Sequence, residues 1–151
     1  MTDRATELAA RMLECPECRG KGYIQSDDSR GVASKYDLCP RCKGTGKVPM
    51  FEGVRQDCCE CEDRGWFEGA FGKYDCNTCD GRGWVPSKDF GQWVQAIRSL
   101  EDFSTITVYK DEIRICLLRG EKGDRWLLCK SGKGTDLDAL LEALEEVIRE
   151  P

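Results

Sequence analysis

Eight of the 11 cysteines stand in four C-x-x-C pairs: Cys15/Cys18, Cys39/Cys42, Cys58/Cys61 and Cys76/Cys79. A turn of this kind presents two thiolates to one cation, and two turns complete a tetrahedral sulfur shell at about 2.3 Å. Three of the pairs run on into two glycines at fixed offsets: Gly20 and Gly22, Gly44 and Gly46, Gly81 and Gly83. Glycine lets the backbone fold behind the sulfurs at positive φ. In the remaining run Asp63 stands where the first glycine should be, before Gly65; Asp tolerates that conformation better than most residues. Redox pairs or a disulfide framework are the competing readings, but a dithiol enzyme carries one C-x-x-C beside a sheet, not four with trailing glycines. Eight thiolates make two closed four-cysteine sites, and a site saturated by protein ligands supports folding rather than Lewis-acid chemistry. Two structural Zn2+ are therefore expected.

The remaining composition narrows the function. The chain of 151 residues has no His, which excludes Ser-His and Cys-His catalytic pairs and mixed Cys/His metal sites. The formal net charge is -5, and two tetrathiolate zinc sites would take it to about -9. No apolar run approaches the ~20 residues of a membrane helix, and the charged start Met1 to Glu14 reads as a tail or short helix rather than a signal peptide. A reducing, cytoplasmic setting follows, where grouped cysteines bind metal. Of the other thiols, Cys116 and Cys129 are read as small buried residues of strands, and Cys59 as a spare thiol beside a ligand.

Residues 15–86 are rich in Gly and Cys and poor in aliphatics, whereas 87–151 are rich in Leu, Ile and Val. This places a boundary near Val85-Pro86-Ser87 and three parts: 1–14, 15–86 and 87–151. The first half repeats internally, Lys35 to Pro49 echoing Lys73 to Pro86 with Leu38 as an extra residue. The expected fold class is a small zinc-stabilised β-hairpin module plus an α+β domain of α-β-β-β-α order with a three-stranded antiparallel sheet. Phe90, Trp93, Val94, Ile97 and Leu100 keep helical spacing, with Ser87 as N-cap. Strands are expected at 105–109, 112–118 and 125–130, the last two joined by a turn over Gly120 to Gly123. The strand Ile113, Ile115, Leu117 presents one face. Leu137, Leu140, Leu141, Leu144, Val147 and Ile148 mark an amphipathic helix, with Thr135 and Asp138 spaced as a capping box. That helix packs on its own sheet or on a second copy of the chain as a homodimer.

Four C-x-x-C-x-G-x-G-like repeats over residues 15–86 resemble the central cysteine-rich zinc domain of DnaJ-type co-chaperones. The resemblance implies that the first and fourth repeats share one zinc through Cys15, Cys18, Cys76 and Cys79. The second and third would share the other through Cys39, Cys42, Cys58 and Cys61. It also implies a hairpin over Gly46 to Gly53. The internal repeat suggests the rival pairing, first with second and third with fourth; the family pairing is preferred. No J-domain, His-Pro-Asp loop or Gly/Phe linker accompanies the module, so stimulation of an ATPase chaperone is not implied.

The expected function is binding of a protein or peptide partner, chaperone-like or as an adaptor or regulator of the bacterial or phage kind, with no catalytic residues. Met50, Phe51 and Phe71, near hairpin tips, are the candidate contacts, while Tyr23, Trp66 and Trp84 are expected to pack across the hairpins. Nucleic-acid binding is the alternative, because the α-β-β-β-α order resembles a double-stranded-RNA-binding domain. Its last helix, however, opens Asp136-Leu137-Asp138 and runs through Glu142, Glu145 and Glu146, and an acidic face repels phosphate. A basic patch of Arg41, Lys43 and Lys47 is the exception. Ser131 to Thr135 lacks the full glycine and Lys-Ser/Thr pattern of a phosphate loop and reads as a strand-to-helix connection. A thiol-disulfide oxidoreductase is the third class, disfavoured because metal-bound thiolates are poor redox catalysts.

Overall fold

A computed structural model describes residues 3–26, 35–121 and 123–150. Met1 and Thr2 of the expected tail, and Lys122 of the expected turn, lie outside these residues. Helix α1 (Arg4–Ala9) opens the chain and is followed by β1 (Met12–Glu14), β2 (Tyr23–Ser26), β3 (Lys35–Leu38) and β4 (Lys47–Pro49). β1 pairs antiparallel with β4, and β2 with β3. β5 (Arg55–Asp57), β6 (Trp66–Gly69), β7 (Gly72–Asp75) and β8 (Trp84–Pro86) repeat the pattern, β5 on β8 and β6 on β7. Each module is thus strand, knuckle, hairpin, knuckle, strand. The expected hairpin over Gly46 to Gly53 does not form: β4, within that segment, pairs with β1, and β5, just after it, pairs with β8.

The rest is α2 (Phe90–Arg98), β9 (Phe103–Val108), β10 (Glu112–Arg119), β11 (Trp126–Lys133) and α3 (Leu137–Arg149). The three strands form one antiparallel sheet in the order β11-β10-β9, the α-β-β-β-α arrangement that the periodicity predicts. Contacts divide the chain into two compact units, residues 10–50 and residues 1–9 with 51–151. This division falls between the two cysteine modules.

Within the larger unit, Ile113, Ile115 and Leu117 line one face of β10 and are buried, as are Leu140, Leu141, Leu144 and Val147 of α3, which lies on β10 and β11. Each such side chain contributes about 1.5–3 kcal/mol when fully buried. The leucine helix therefore uses its apolar face on its own sheet. Gly132 is in β11, where a Cβ would stand 1.9 Å from the Ala139 carbonyl oxygen. Its role is close packing of strand on helix, consistent with a structural rather than phosphate-binding reading of Ser131 to Thr135.

Both helix starts differ from expectation by one or two residues. Asp89, not Ser87, caps α2, its carboxylate accepting from Gln92 N at 2.9 Å. Ser87 is buried; its hydroxyl accepts from Asp89 N, and its carbonyl accepts from Trp93 Nε1 at 2.8 Å. Asp136, not Thr135, caps α3 through Ala139 N. In each case a carboxylate nearer the helix, by two residues for α2 and one for α3, takes the orphan N–H.

Phe51 is not at a tip. It is fully buried, its ring tilted against Trp93 with centroids 5.8 Å apart. Without the hairpin expected between repeats two and three, Phe51 is a linker side chain drawn into the core beside α2. Among the described residues no helix is long and apolar enough to cross a membrane.

Candidate metal centres

The eight paired cysteines gather in two buried groups, Cys15, Cys18, Cys39 and Cys42, and Cys58, Cys61, Cys76 and Cys79. This is the pairing suggested by the internal repeat, and it corrects the one implied by the DnaJ resemblance. Cys76 and Cys79 do not join Cys15 and Cys18, nor do Cys58 and Cys61 join Cys39 and Cys42. The cause is local. The hairpin β2–β3 returns the chain from the first knuckle straight to the second, and β6–β7 does the same for the third and fourth.

Within a module the two knuckles grip each other symmetrically. Cys15 N donates to the Gly46 carbonyl at 2.8 Å and Cys39 N to the Gly22 carbonyl at 3.0 Å. Cys58 N donates to Gly83 at 3.0 Å and Cys76 N to Gly65 at 2.8 Å. The second glycine of every repeat also donates its N–H to the second sulfur, at 3.2 Å in all four cases. Asp63 holds φ 65°, the conformation of the glycines it replaces, as its short polar side chain allows.

The sulfurs are spaced for an ion. Cys15 and Cys39 Sγ lie 3.7 Å apart, Cys18 and Cys42 3.7 Å, Cys58 and Cys76 3.8 Å, and Cys61 and Cys79 3.7 Å. The edge of a tetrahedron whose corners lie about 2.3 Å from its centre is about 3.8 Å. Each group can therefore hold one metal ion, and the two groups fit zinc-binding modules. The N–H···S bonds and the all-sulfur donor set suit a cation that keeps the thiolates ionised. Each module's core is little more than these sulfurs, with Val48 and Ile24 in one and Phe67 and Val85 in the other.

Crowding of four thiols spreads their proton affinities. Burial pushes Cys61 up to about 12. Cys39 rises to about 11, because burial and the Cys15 and Cys42 thiols outweigh the larger downward pull of the Cys42 N–H. Burial also acts on Cys42 and Cys76, but backbone N–H groups, from Gly46 and Gly44 for the one and Cys79 and Thr78 for the other, help to bring each down to about 7.

The other cysteines divide. Cys59 is free and exposed, the expected spare thiol. Cys116 and Cys129 are not free: they face each other across β10 and β11 and form a disulfide. Cys116 is buried and Cys129 exposed, so the expectation of two buried thiols is corrected.

The aromatic candidates also separate. Met50 is half-buried. Phe71 has 107% of its reference area exposed, in the two-residue turn between β6 and β7. Trp66 and Trp84 are half-buried beneath cations, Lys73 Nζ 3.9 Å from the Trp66 centroid and the Arg55 guanidinium 4.4 Å from that of Trp84. Tyr23 is instead exposed, edge-on to Tyr36 at 5.2 Å. Leu38 explains a difference between the modules. It puts Tyr36 three residues before its ligand cysteine, whereas Tyr74 is two before, and one step along a strand changes the face. Tyr74 accordingly meets its direct cross-strand partner Phe67.

No family model, curated protein or solved structure matches the chain.

Proposed function

We propose that the chain is a zinc protein whose two ions are structural, and that it acts by engaging a protein partner, as an adaptor or regulator rather than a catalyst. Tetrahedral all-thiolate shells take zinc or iron; zinc, free of redox chemistry, suits sites whose four sulfurs are buried and turned on one another. A site with four protein ligands keeps no position for substrate, which supports a scaffolding role.

The observation that carries partner binding is Phe71. Trp66 and Trp84 lie under cations and Phe67 lies against Tyr74, while the Phe71 ring stands wholly in solvent. Residues 51–86 carry eight Asp and Glu against four Lys and Arg. A fully exposed apolar ring on an acidic module suits a folded partner with an apolar pocket rimmed by basic residues. That favours an adaptor over a chaperone for unfolded chains, which would need a broad apolar groove.

The test is a photo-crosslinking amino acid at position 71 of the zinc-loaded chain, followed by capture with Phe71→Ser as competitor. A partner whose capture the variant competes as well as the native chain would refute a role for the knob. Metal analysis giving iron in place of zinc would refute the metal assignment.

A further inference from the structure

The two modules share a backbone and differ in charge at equivalent positions. The residue after the second cysteine, at φ of 49–51° in all four repeats, is Arg19 and Lys43 in the first module but Glu62 and Asp80 in the second. In the second module these acids neutralise their neighbours: Glu62 lies 3.6 Å from Arg64, and Asp80 3.5 Å from Arg82. Arg64 and Arg82 further approach the Trp66 and Trp84 rings.

In the first module the same place is reversed. Lys21 stands where Arg64 does, but its neighbour is Arg19 in place of an acid. Neither is in an ion pair among the described residues, and both are exposed. Residues 10–50 carry eight Lys and Arg against five Asp and Glu, so the module stays positive by about one after a tetrathiolate zinc is counted. The chain's negative total conceals this, because the acids lie elsewhere.

Arg19 and Lys21 line a cleft of about 350 Å³ together with Tyr23 and Tyr36, and with Glu17 on its wall. Both tyrosines are exposed, Tyr36 to 63% and Tyr23 to 45%, in the edge-to-face pair already described. Two tyrosine rings that pair edge to face and stay partly exposed, beside two cations outside any ion pair among the described residues, match the needs of an unpaired nucleotide, whose base stacks while its phosphates meet charge. A duplex keeps its base faces covered, and an acidic peptide without aromatic side chains gives rings of this kind nothing to stack on.

From this we infer that the first module binds single-stranded nucleic acid at the Arg19, Lys21, Tyr23 and Tyr36 cleft, a function separate from the Phe71 knob. Arg19 and Lys21 hold phosphate, and Tyr23 and Tyr36 receive a base.

The experiment measures fluorescence anisotropy of labelled single-stranded RNA and DNA 12-mers with the full zinc-loaded chain, beside a duplex and a poly-glutamate peptide. Binding is expected for the single strands and to weaken with salt. Arg19→Glu gives the first module the residue that Glu62 already carries at the same φ, so the knuckle tolerates it; two zinc ions per chain check this. With Lys21→Ala it should lower affinity about tenfold or more and flatten the salt dependence. Tyr36→Ala should cost about 5- to 30-fold while leaving the salt slope unchanged. Absence of binding at low salt, equal binding of duplex or poly-glutamate, or indifference to these variants at full zinc loading would each overturn the inference.

Discussion

Gly46 lies against Gly20: a Cβ built on Gly46 would stand 2.3 Å from the Gly20 carbonyl oxygen. The contact is repeated in the other module, where a Cβ on Gly83 would stand 2.1 Å from the Asp63 carbonyl oxygen. The second glycine of a repeat is therefore where the two knuckles of its module interlock, as well as where φ is positive. Gly46→Ala should abolish metal binding by the first module alone, lowering zinc from two ions per chain to one, and Gly83→Ala should do the same for the second. Gly53 is a control: its φ is 80° with no atom near its missing Cβ, so Gly53→Ala should cost only about 1–2 kcal/mol of backbone preference and keep both ions.

The ligand grouping predicts a pattern of double substitutions. Cys15→Ser with Cys42→Ser removes two ligands of one site and should leave one zinc per chain. Cys15→Ser with Cys76→Ser strikes both sites and should leave none. The pairing implied by the DnaJ resemblance gives the reverse result, so metal content of the two variants decides between them.

Zinc binding should weaken as pH falls. A metal ion displaces a proton from Cys39 or Cys61, whose thiols sit at about 11 and about 12, throughout the accessible range. Cys42 and Cys76, at about 7, contribute a displaced proton only below neutrality. Affinity measured against a chromophoric chelator from about pH 5.5 to 9 should therefore fall more steeply below about pH 7 than above it. A uniform slope would contradict these thiol assignments.

Phe51 and Phe71 should behave as opposites. Phe51→Ala empties a fully buried site against Trp93 and should destabilise the larger unit by about 3–5 kcal/mol in denaturant unfolding. Phe71→Ala removes a ring with no burial to lose and should change stability by less than about 0.5 kcal/mol.

The Cys116–Cys129 disulfide closes a loop with a sequence separation of 13 residues, for which chain entropy alone gives about 3 kcal/mol. Replacing both residues with Ala should lower the stability of the sheet by up to that amount without altering zinc content. Unchanged stability would mean that the bridge is not formed in solution.

The residues themselves explain which parts of this structure were legible in the sequence. The ligands were, because the C-x-x-C turn and its glycines are a local geometry written in neighbouring residues. The α-β-β-β-α order was legible from periods of 3.6 and 2. The grouping of ligands was not, because it depends on which hairpin returns the chain to which knuckle; the internal repeat was the signal that pointed the right way. The disulfide was missed through register. A turn over Gly120 to Gly123 leaves Cys116 and Cys129 out of step, whereas the strands pair Arg119 with Trp126, and the longer loop aligns the two sulfurs. The burial of Phe51 depends on Trp93, far along the chain, and no local pattern announces it. The positive charge of the first module was partly visible in Arg41, Lys43 and Lys47, but a boundary drawn near Pro86 averaged it away.

Each cysteine module starts and finishes at adjoining strands, β1 beside β4 and β5 beside β8. Its clasp is complete before the chain leaves it. A gene segment encoding one such loop can be copied whole and yield a second working clasp at once, with no refitting of the original. The outside of either clasp can then change without disturbing the other, and one backbone can carry Arg19 in one place and Glu62 in the other.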